Sequence, residues 1–153
     1  MAFKPGDRTG FTLIEALLVI VITGILIAVG VLRMAPALER AKVRRVISVL
    51  AGDLQYAQLM AARDRRPVVF IVIPSTQAYL IRSRTDSMTI YRERFIGPDT
   101  DYAAETLSAS PGNTLEIYPN GVTRQTTTFT VGRNAYQRQV RITRAGQIRI
   151  VTP

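Results

Sequence analysis

The chain of 153 residues contains no cysteine and no histidine, and all but two of its 20 basic residues are arginine. It therefore cannot form a disulfide, a Cys- or His-ligated metal site, a cysteine nucleophile or a Ser-His-Asp triad. A glycine-rich phosphate loop is also absent, and the acids at 99, 101 and 105 lack the spacing of an EF-hand. We expect no enzyme activity and no cofactor.

A long apolar run near the N-terminus decides the class of protein. Residues 11–32 contain one ionisable side chain, Glu15. At 1.5 Å per residue this run forms about 33 Å of helix, enough to cross a hydrocarbon core of about 30 Å. The alternatives are a buried core helix, which is rarely apolar on every face for six turns, and a cleaved secretory signal, whose apolar region is shorter. The run therefore predicts a transmembrane helix.

Glu15 is the anomaly of this run. Placing a charged side chain inside a membrane costs a few kcal/mol of free energy. Ionisable residues in membrane segments therefore usually have a function. The alternative is a carboxylate that snorkels to the headgroups or stays protonated. The charged residues flanking the run favour a cytoplasmic C-terminal domain by the positive-inside rule. Long domains translocate regardless of charge, so this charge distribution does not fix the orientation.

The start of the run resembles the class III signal of type IV pilins and type II secretion pseudopilins. The motif is Gly10-Phe11-Thr12-Leu13-Ile14-Glu15. The resemblance implies cleavage between Gly10 and Phe11 by a membrane-embedded prepilin peptidase, followed by N-methylation of the Phe11 amine. It also implies that Glu15 pairs with the N-terminal amine of a neighbouring subunit.

Further along the run, Gly24 matches a glycine where pilin helices loosen in the filament. The family's mid-helix proline is missing from its usual place, which Leu32 occupies, and Pro36 follows four residues later. Any kink is therefore expected to be displaced along the helix.

Beyond the membrane run, apolar residues recur at spacings of three and four, which predicts a half-buried continuation of the helix that ends at Pro67. These positions are Val43, Val46, Ile47, Leu50, Leu54, Ala57 and Ala61. The pattern then changes to period two. It predicts strands at 67–74, 78–83, 88–96, 114–118, 122–131, 136–143 and 147–152. Residues 97–113 are predicted to be a long exposed loop.

The last two strands allow a register to be predicted. A two-residue turn at 145–146 would set Ile142 opposite Arg149 on one face. A three-residue loop at 144–146 keeps one face apolar and puts Gly146 at a left-handed position. Its cross-strand pairs are Ile142–Ile148 and Val140–Ile150, with Arg141–Arg149 on the opposite face.

This C-terminal hairpin resembles that of the H-type minor pseudopilins of type II secretion (GspH) and of FimT-like pilins. Some FimT-like pilins bind DNA through a Gly-Arg-x-Arg motif here. Gly146-Gln147-Ile148-Arg149 matches it except at Gln147. The residues after Glu116 include six arginines and no acid. Four of these arginines are candidates for anion or DNA binding: Arg138, Arg141, Arg144 and Arg149. The alternatives are a solvated arginine face and docking to acidic sites on neighbouring subunits.

The sequence as a whole predicts a pilin-like α+β fold, in which a long N-terminal helix packs on a C-terminal antiparallel β-sheet domain. We expect a leader (1–10), a transmembrane or filament-core helix (11–32), its amphipathic continuation (33–66) and a β-rich domain (67–153).

The expected function is that of a minor pseudopilin of a type II secretion system; the alternative is a type IV minor pilin that primes pilus assembly or binds DNA for transformation. Expected partners are other pilins or pseudopilins, prepilin peptidase and an inner-membrane assembly platform. The expected location is the bacterial inner membrane, with the N-terminus cytoplasmic and the C-terminal domain periplasmic, and the assembled filament.

Overall fold

A computed structural model of the protein describes residues 12–152. One long helix, α1, is followed by eight strands. In chain order these elements are α1 (Leu13–Asp64), β1 (Val68–Ile73), β2 (Ala78–Ser83), β3 (Ile90–Phe95), β4 (Thr106–Ser110), β5 (Thr114–Ile117), β6 (Thr127–Arg133), β7 (Tyr136–Ile142) and β8 (Ile148–Val151). A single 3₁₀ turn, Pro74–Thr76, connects β1 and β2.

The chain divides into two compact units, Met1–Ala37 and Leu38–Pro153. The described part of the first unit is helical from Leu13, and the large apolar side chains whose burial the structure describes there are exposed. By length and composition α1 contains a segment able to span a membrane. Pro36 lies inside the helix and does not end it.

Both ends of α1 follow from local chemistry. At the N-terminus the Glu15 backbone N–H donates to the Thr12 hydroxyl oxygen at 3.3 Å, so Thr12 acts as the cap. At the C-terminus the N–H groups of Arg65 and Arg66 donate to carbonyls of the preceding turn, and Arg65 is left-handed with φ of 52°. This is a Schellman ending, with arginine where glycine is usual. The helix therefore stops three residues before Pro67.

The second half of α1 presents the predicted apolar stripe to the core. All seven residues of this stripe are 2% exposed or less: Val43, Val46, Ile47, Leu50, Leu54, Ala57 and Ala61. The predicted polar positions Arg40, Arg44, Ser48 and Gln55 are exposed. The amphipathic pattern is confirmed.

Two antiparallel four-stranded sheets supply the rest of the core. The first sheet has the order β3-β2-β1-β5 and the second sheet the order β4-β6-β7-β8. Aromatic contacts join the sheets in the interior. Phe70 stacks on Tyr79 at a centroid distance of 4.9 Å and meets Phe129 edge-on at 5.3 Å. Such pairs contribute about 0.5–1.5 kcal/mol beyond the area they bury.

Two sequence predictions are corrected by the structure. Residues 97–113 are not one long loop, because β4 lies within them and pairs with β6. β4 reads Thr-Leu-Ser-Ala-Ser and buries only one large side chain, Leu107, so its period-two signal is weak. The strand predicted at 122–131 begins only at Thr127, and Thr123 makes an isolated bridge instead.

The predicted register of the last hairpin is confirmed. β7 and β8 pair Ile142 with Ile148 and Arg141 with Arg149. The Thr143 N–H also donates to the Gln147 carbonyl at 2.9 Å, which leaves residues 144–146 as a three-residue loop. Gly146 has φ of 80°, as the loop requires. The side-chain nitrogen of Gln58 on α1 donates to the carbonyl of Gly146 at 2.8 Å and to that of Gly121 at 3.3 Å. The helix thus holds two turns of the β domain together, a contact that the sequence pattern does not reveal.

We expect Gly146→Ala to be markedly more destabilising than Gly121→Ala. Both glycines have positive φ, which costs an alanine about 1 kcal/mol. A Cβ at Gly146 would also overlap the Gly121 carbonyl oxygen and crowd Gln58, whereas the space beside Gly121 is open. The clash should add about 1–3 kcal/mol to the loss of unfolding free energy. Urea unfolding of the full chain in maltoside micelles measures this difference; equal losses for the two variants would contradict it.

Candidate functional site

The structure places Glu15 at the third position of α1, with its side chain exposed. No described residue forms an ion pair with its carboxylate. The two threonines of the run form hydrogen bonds locally: the Thr12 hydroxyl accepts from the Glu15 N–H at 3.3 Å, and the Thr23 hydroxyl donates to the Val19 carbonyl at 2.7 Å. Within the described part of the run, Glu15 is the one ionisable side chain, and its pairing with a neighbouring subunit stays a prediction.

The structure says less about three other predicted positions of this region, Gly10, Phe11 and Gly24. Gly10 and Phe11 lie outside the described residues. α1 is continuously helical through Gly24, and a side chain there would meet open space. Its role in helix loosening stays a prediction.

The structure separates the four candidate arginines. Arg141 and Arg149 lie directly opposite each other on the outer face of the second sheet, and both are exposed. Arg144 is exposed in the connecting turn. Arg138 shares the inner face with Val140, and its guanidinium donates to the Tyr136 hydroxyl at 2.7 Å.

The outer face around Arg141 and Arg149 is polar and acid-free over the described strands. Arg141 donates to the Thr128 hydroxyl at 3.3 Å, and Arg149 donates to the Gln147 side-chain oxygen at 3.4 Å. Apart from Val151, which lies opposite Gln139, the other side chains of this face are hydroxyls and amides: Thr106, Ser108, Ser110, Thr128, Thr130, Gln137 and Gln139. Two like charges on directly opposite residues, with no acid on this face, repel each other, so a bound anion would be stabilised here.

A buried charge that the sequence pattern missed fixes the helix to the first sheet. Asp53 lies on the buried side of α1 with an exposed fraction of 3%. Its carboxylate accepts hydrogen bonds from the Tyr79 hydroxyl at 2.7 Å, from Arg94 Nε at 2.8 Å and from Arg92. Arg94 also donates to the Tyr102 hydroxyl at 2.7 Å. In the sequence, the one indication of this network is an aspartate among the apolar positions of α1.

The comparisons with known families settle the class of this fold. Residues 47–146 match the family described as Type II transport protein GspH, and residues 6–31 match the Prokaryotic N-terminal methylation motif. The first match covers about two thirds of the chain. The chain belongs to the GspH family. It is a structural subunit of pilin or pseudopilin type, and its N-terminal motif and apolar helix indicate membrane anchoring.

Solved structures show the same fold in both pilins and pseudopilins. The type IV minor pilin FimU of Pseudomonas aeruginosa is 22% identical, with a TM-score of 0.61 over 74% of this chain and 90% of that chain. The minor pseudopilin EpsH from the type 2 secretion system of Vibrio cholerae is 12% identical, with a TM-score of 0.56 over 73% and 98%. At these identities the likeness is one of fold, and it confirms the predicted pilin-like α+β architecture. No curated protein matches the chain.

For this GspH-family chain we expect Asp53→Asn to lower the free energy of unfolding by about 2–4 kcal/mol, because it leaves Arg92 and Arg94 without their buried counter-charge. Burial opposes ionisation of Asp53, but hydrogen bonds from Arg94, Tyr79 and Arg92 outweigh burial and hold the pKa of the carboxyl below its usual value. Its contribution is therefore fully present above the unfolded pKa of about 4 and is lost as the pH falls through the folded pKa.

Urea unfolding of the wild type and Asp53→Asn between pH 3 and 7 tests this. The difference between the two proteins should be constant at neutral pH and shrink below about pH 4. Tyr79→Phe is the control, because it removes one donor and keeps the charge, so it should retain the pH dependence. A difference between wild type and Asp53→Asn that is independent of pH would contradict the ionised state assigned to Asp53.

Proposed function

We propose that this chain is a minor pseudopilin of a type II secretion system, matured by prepilin peptidase and incorporated into the pseudopilus. The match of residues 47–146 to the GspH family carries the proposal. The similarity in fold to a minor pseudopilin supports it, and the similarity in fold to a type IV minor pilin supports the alternative, a pilus-priming minor pilin.

In this proposal the subunit is made as an inner-membrane precursor with residues 1–10 in the cytoplasm and the β domain in the periplasm. The peptidase cleaves between Gly10 and Phe11, and the new Phe11 amine is methylated. The apolar helix 11–32 then leaves the bilayer and becomes buried against other subunits, with Gly24 as the place where the helix loosens. An inner-membrane assembly platform is the expected partner in this step.

In this proposal Glu15 favours the move of the helix from the bilayer into the filament and aligns neighbouring subunits. In a low-dielectric bundle of helices an unpaired carboxylate is costly, whereas a pair with a neighbour's N-terminal amine recovers much of the desolvation cost. The amine exists only after cleavage, so pairing is restricted to processed subunits. Since the carboxylate and the amine have fixed positions on their helices, the pair also fixes the axial offset between neighbours.

We expect Glu15→Ala to insert normally into the membrane and to enter filaments poorly. Removing a charge from the apolar run does not hinder insertion, but it deprives the neighbour's amine of its partner. Thr23→Ala is the matched control, since its hydroxyl bonds within its own helix. Membrane fractionation and quantification of sheared filaments measure both steps; normal filament entry of Glu15→Ala would refute the pairing role.

A second candidate function, DNA binding, is favoured by one observation: Arg141 and Arg149 lie opposite each other on an exposed, acid-free face. Phosphates between them would relieve their repulsion, and binding of this kind weakens steeply with salt. If DNA is a ligand, the full chain in maltoside micelles should bind duplex DNA at low salt, and Arg141→Gln with Arg149→Gln should weaken binding at least about tenfold. Arg63→Gln, an exposed arginine at the end of α1, is the control. No binding at low salt would exclude this function.

A further inference from the structure

A small groove lies between the exposed side of α1 and the last strand of the second sheet. It is a cavity of about 210 Å³ lined by Arg44, Ile47, Ser48, Arg138 and Ile150. Two arginines and one serine line it from helix and sheet, and the two isoleucines add apolar lining. None of the lining residues is acidic, so the groove combines positive charge with an apolar contact.

The arginines at this groove are held in place without being neutralised. Arg138 donates to the Tyr136 hydroxyl and to the Thr152 hydroxyl, both at 2.7 Å. Arg44 donates to the Arg40 carbonyl at 3.3 Å. The Arg40 guanidinium also lies 6.0 Å from the centre of the Tyr136 ring. These contacts orient the guanidinium groups, and among the described residues no carboxylate pairs with any of the three arginines.

The edge of β8 beside the groove is open. β8 pairs only with β7 among the described strands. The Thr143 N–H donates to the Gln147 carbonyl, so hydrogen-bonded pairs fall at Gln147 and then at every second residue. The N–H and C=O groups of Ile148 and Ile150 therefore point away from β7, and the Ile150 side chain is 52% exposed. This edge is suited to the addition of another strand.

We infer that this groove binds an extended acidic segment of a different pilin-like subunit, which adds as a strand to β8. A carboxylate of that segment lies between Arg44 and Arg138, and a neighbouring apolar side chain packs on Ile150. The backbone of Ile148 and Ile150 supplies the hydrogen bonds, and the arginines select the acidic sequence. The inference rests on the proposed function as a filament subunit.

The charge of this chain favours a different subunit over a second copy. The net charge is +9, so two copies repel each other as a whole. Within residues 12–152, four acids are already held in internal ion pairs: Glu39, Asp53, Asp64 and Glu116. A more acidic partner meets no such repulsion and gains the two guanidinium contacts.

Photo-crosslinking in cells that assemble the filament tests this inference. A photoreactive phenylalanine replaces Val151 on β8, outside the groove lining, and Ser108 on the opposite edge strand is the matched control. We expect Val151 to crosslink to another pilin-like subunit through a peptide that contains Asp or Glu, as identified by mass spectrometry. Arg44→Gln with Arg138→Gln should reduce that crosslink at least about tenfold, whereas Arg141→Gln on the outer face should not.

The outcomes are distinguishable because filament incorporation is scored separately in each strain. If the chain enters filaments and Val151 gives no crosslink, or gives one to a second copy or to a peptide without acids, the groove assignment is wrong. An undiminished crosslink in the double glutamine variant, with unchanged protease resistance, also overturns it. If the chain enters no filament, the proposed function fails and this inference falls with it. Recovery of the crosslink when Arg44→Glu is combined with an acid-to-arginine change in the partner would establish the pair.

Discussion

The burial of one helical stripe, Val43 to Ala61, is the constraint on which the β domain depends. This stripe lies in the core together with the inner faces of both sheets, so one side of the helix covers apolar residues of both sheets. Each sheet alone would leave an apolar face in water, and at about 25 cal/mol per Å² the exposed area would cost more than a small domain can tolerate. Helix, first sheet and second sheet are therefore stable only together.

Asp53 is the polar exception in this stripe, and it makes the packing specific. Apolar contacts tolerate small rotations of a helix, whereas a carboxylate that accepts from Tyr79, Arg92 and Arg94 fixes both the rotation and the height of α1 against β2 and β3. Gln58, somewhat more than one turn further along the helix, does the same for the turns at Gly121 and Gly146. The exposed side of α1 therefore has a defined orientation.

Much of this fold follows from the sequence because its strongest signals are periodic. The need to bury apolar residues on one face specifies the helical stripe, the strand at 78–83 and the register of β7 and β8. β4 was not predicted because it contributes only one large apolar residue to the core. The partners of Asp53 were not predicted because they lie 26 to 41 residues away along the chain. Long-range polar contacts have no period, so a single sequence does not reveal them. For the candidate site, the motif residues and the register that places Arg141 opposite Arg149 could be predicted. The proximity of Arg138 to Arg44 could not, because these two residues lie far apart along the chain.

The separation of Arg138 from Arg141 and Arg149 gives the C-terminal hairpin two chemically different faces. In a strand, residues of even and odd number point to opposite sides, so Arg138 turns toward α1 while Arg141 and Arg149 turn outward. The inward arginine joins Arg44 beside an apolar surface, which suits a protein segment. The outward pair lies among hydroxyl and amide groups on an acid-free face, which suits a hydrated polyanion or solvent. A one-residue shift in the register of β8 against β7 would mix the inward and outward residues and bury charge. The turn at Gly146, held by Gln58, opposes this shift. The same interaction that stabilises the hairpin thus keeps the two surfaces distinct.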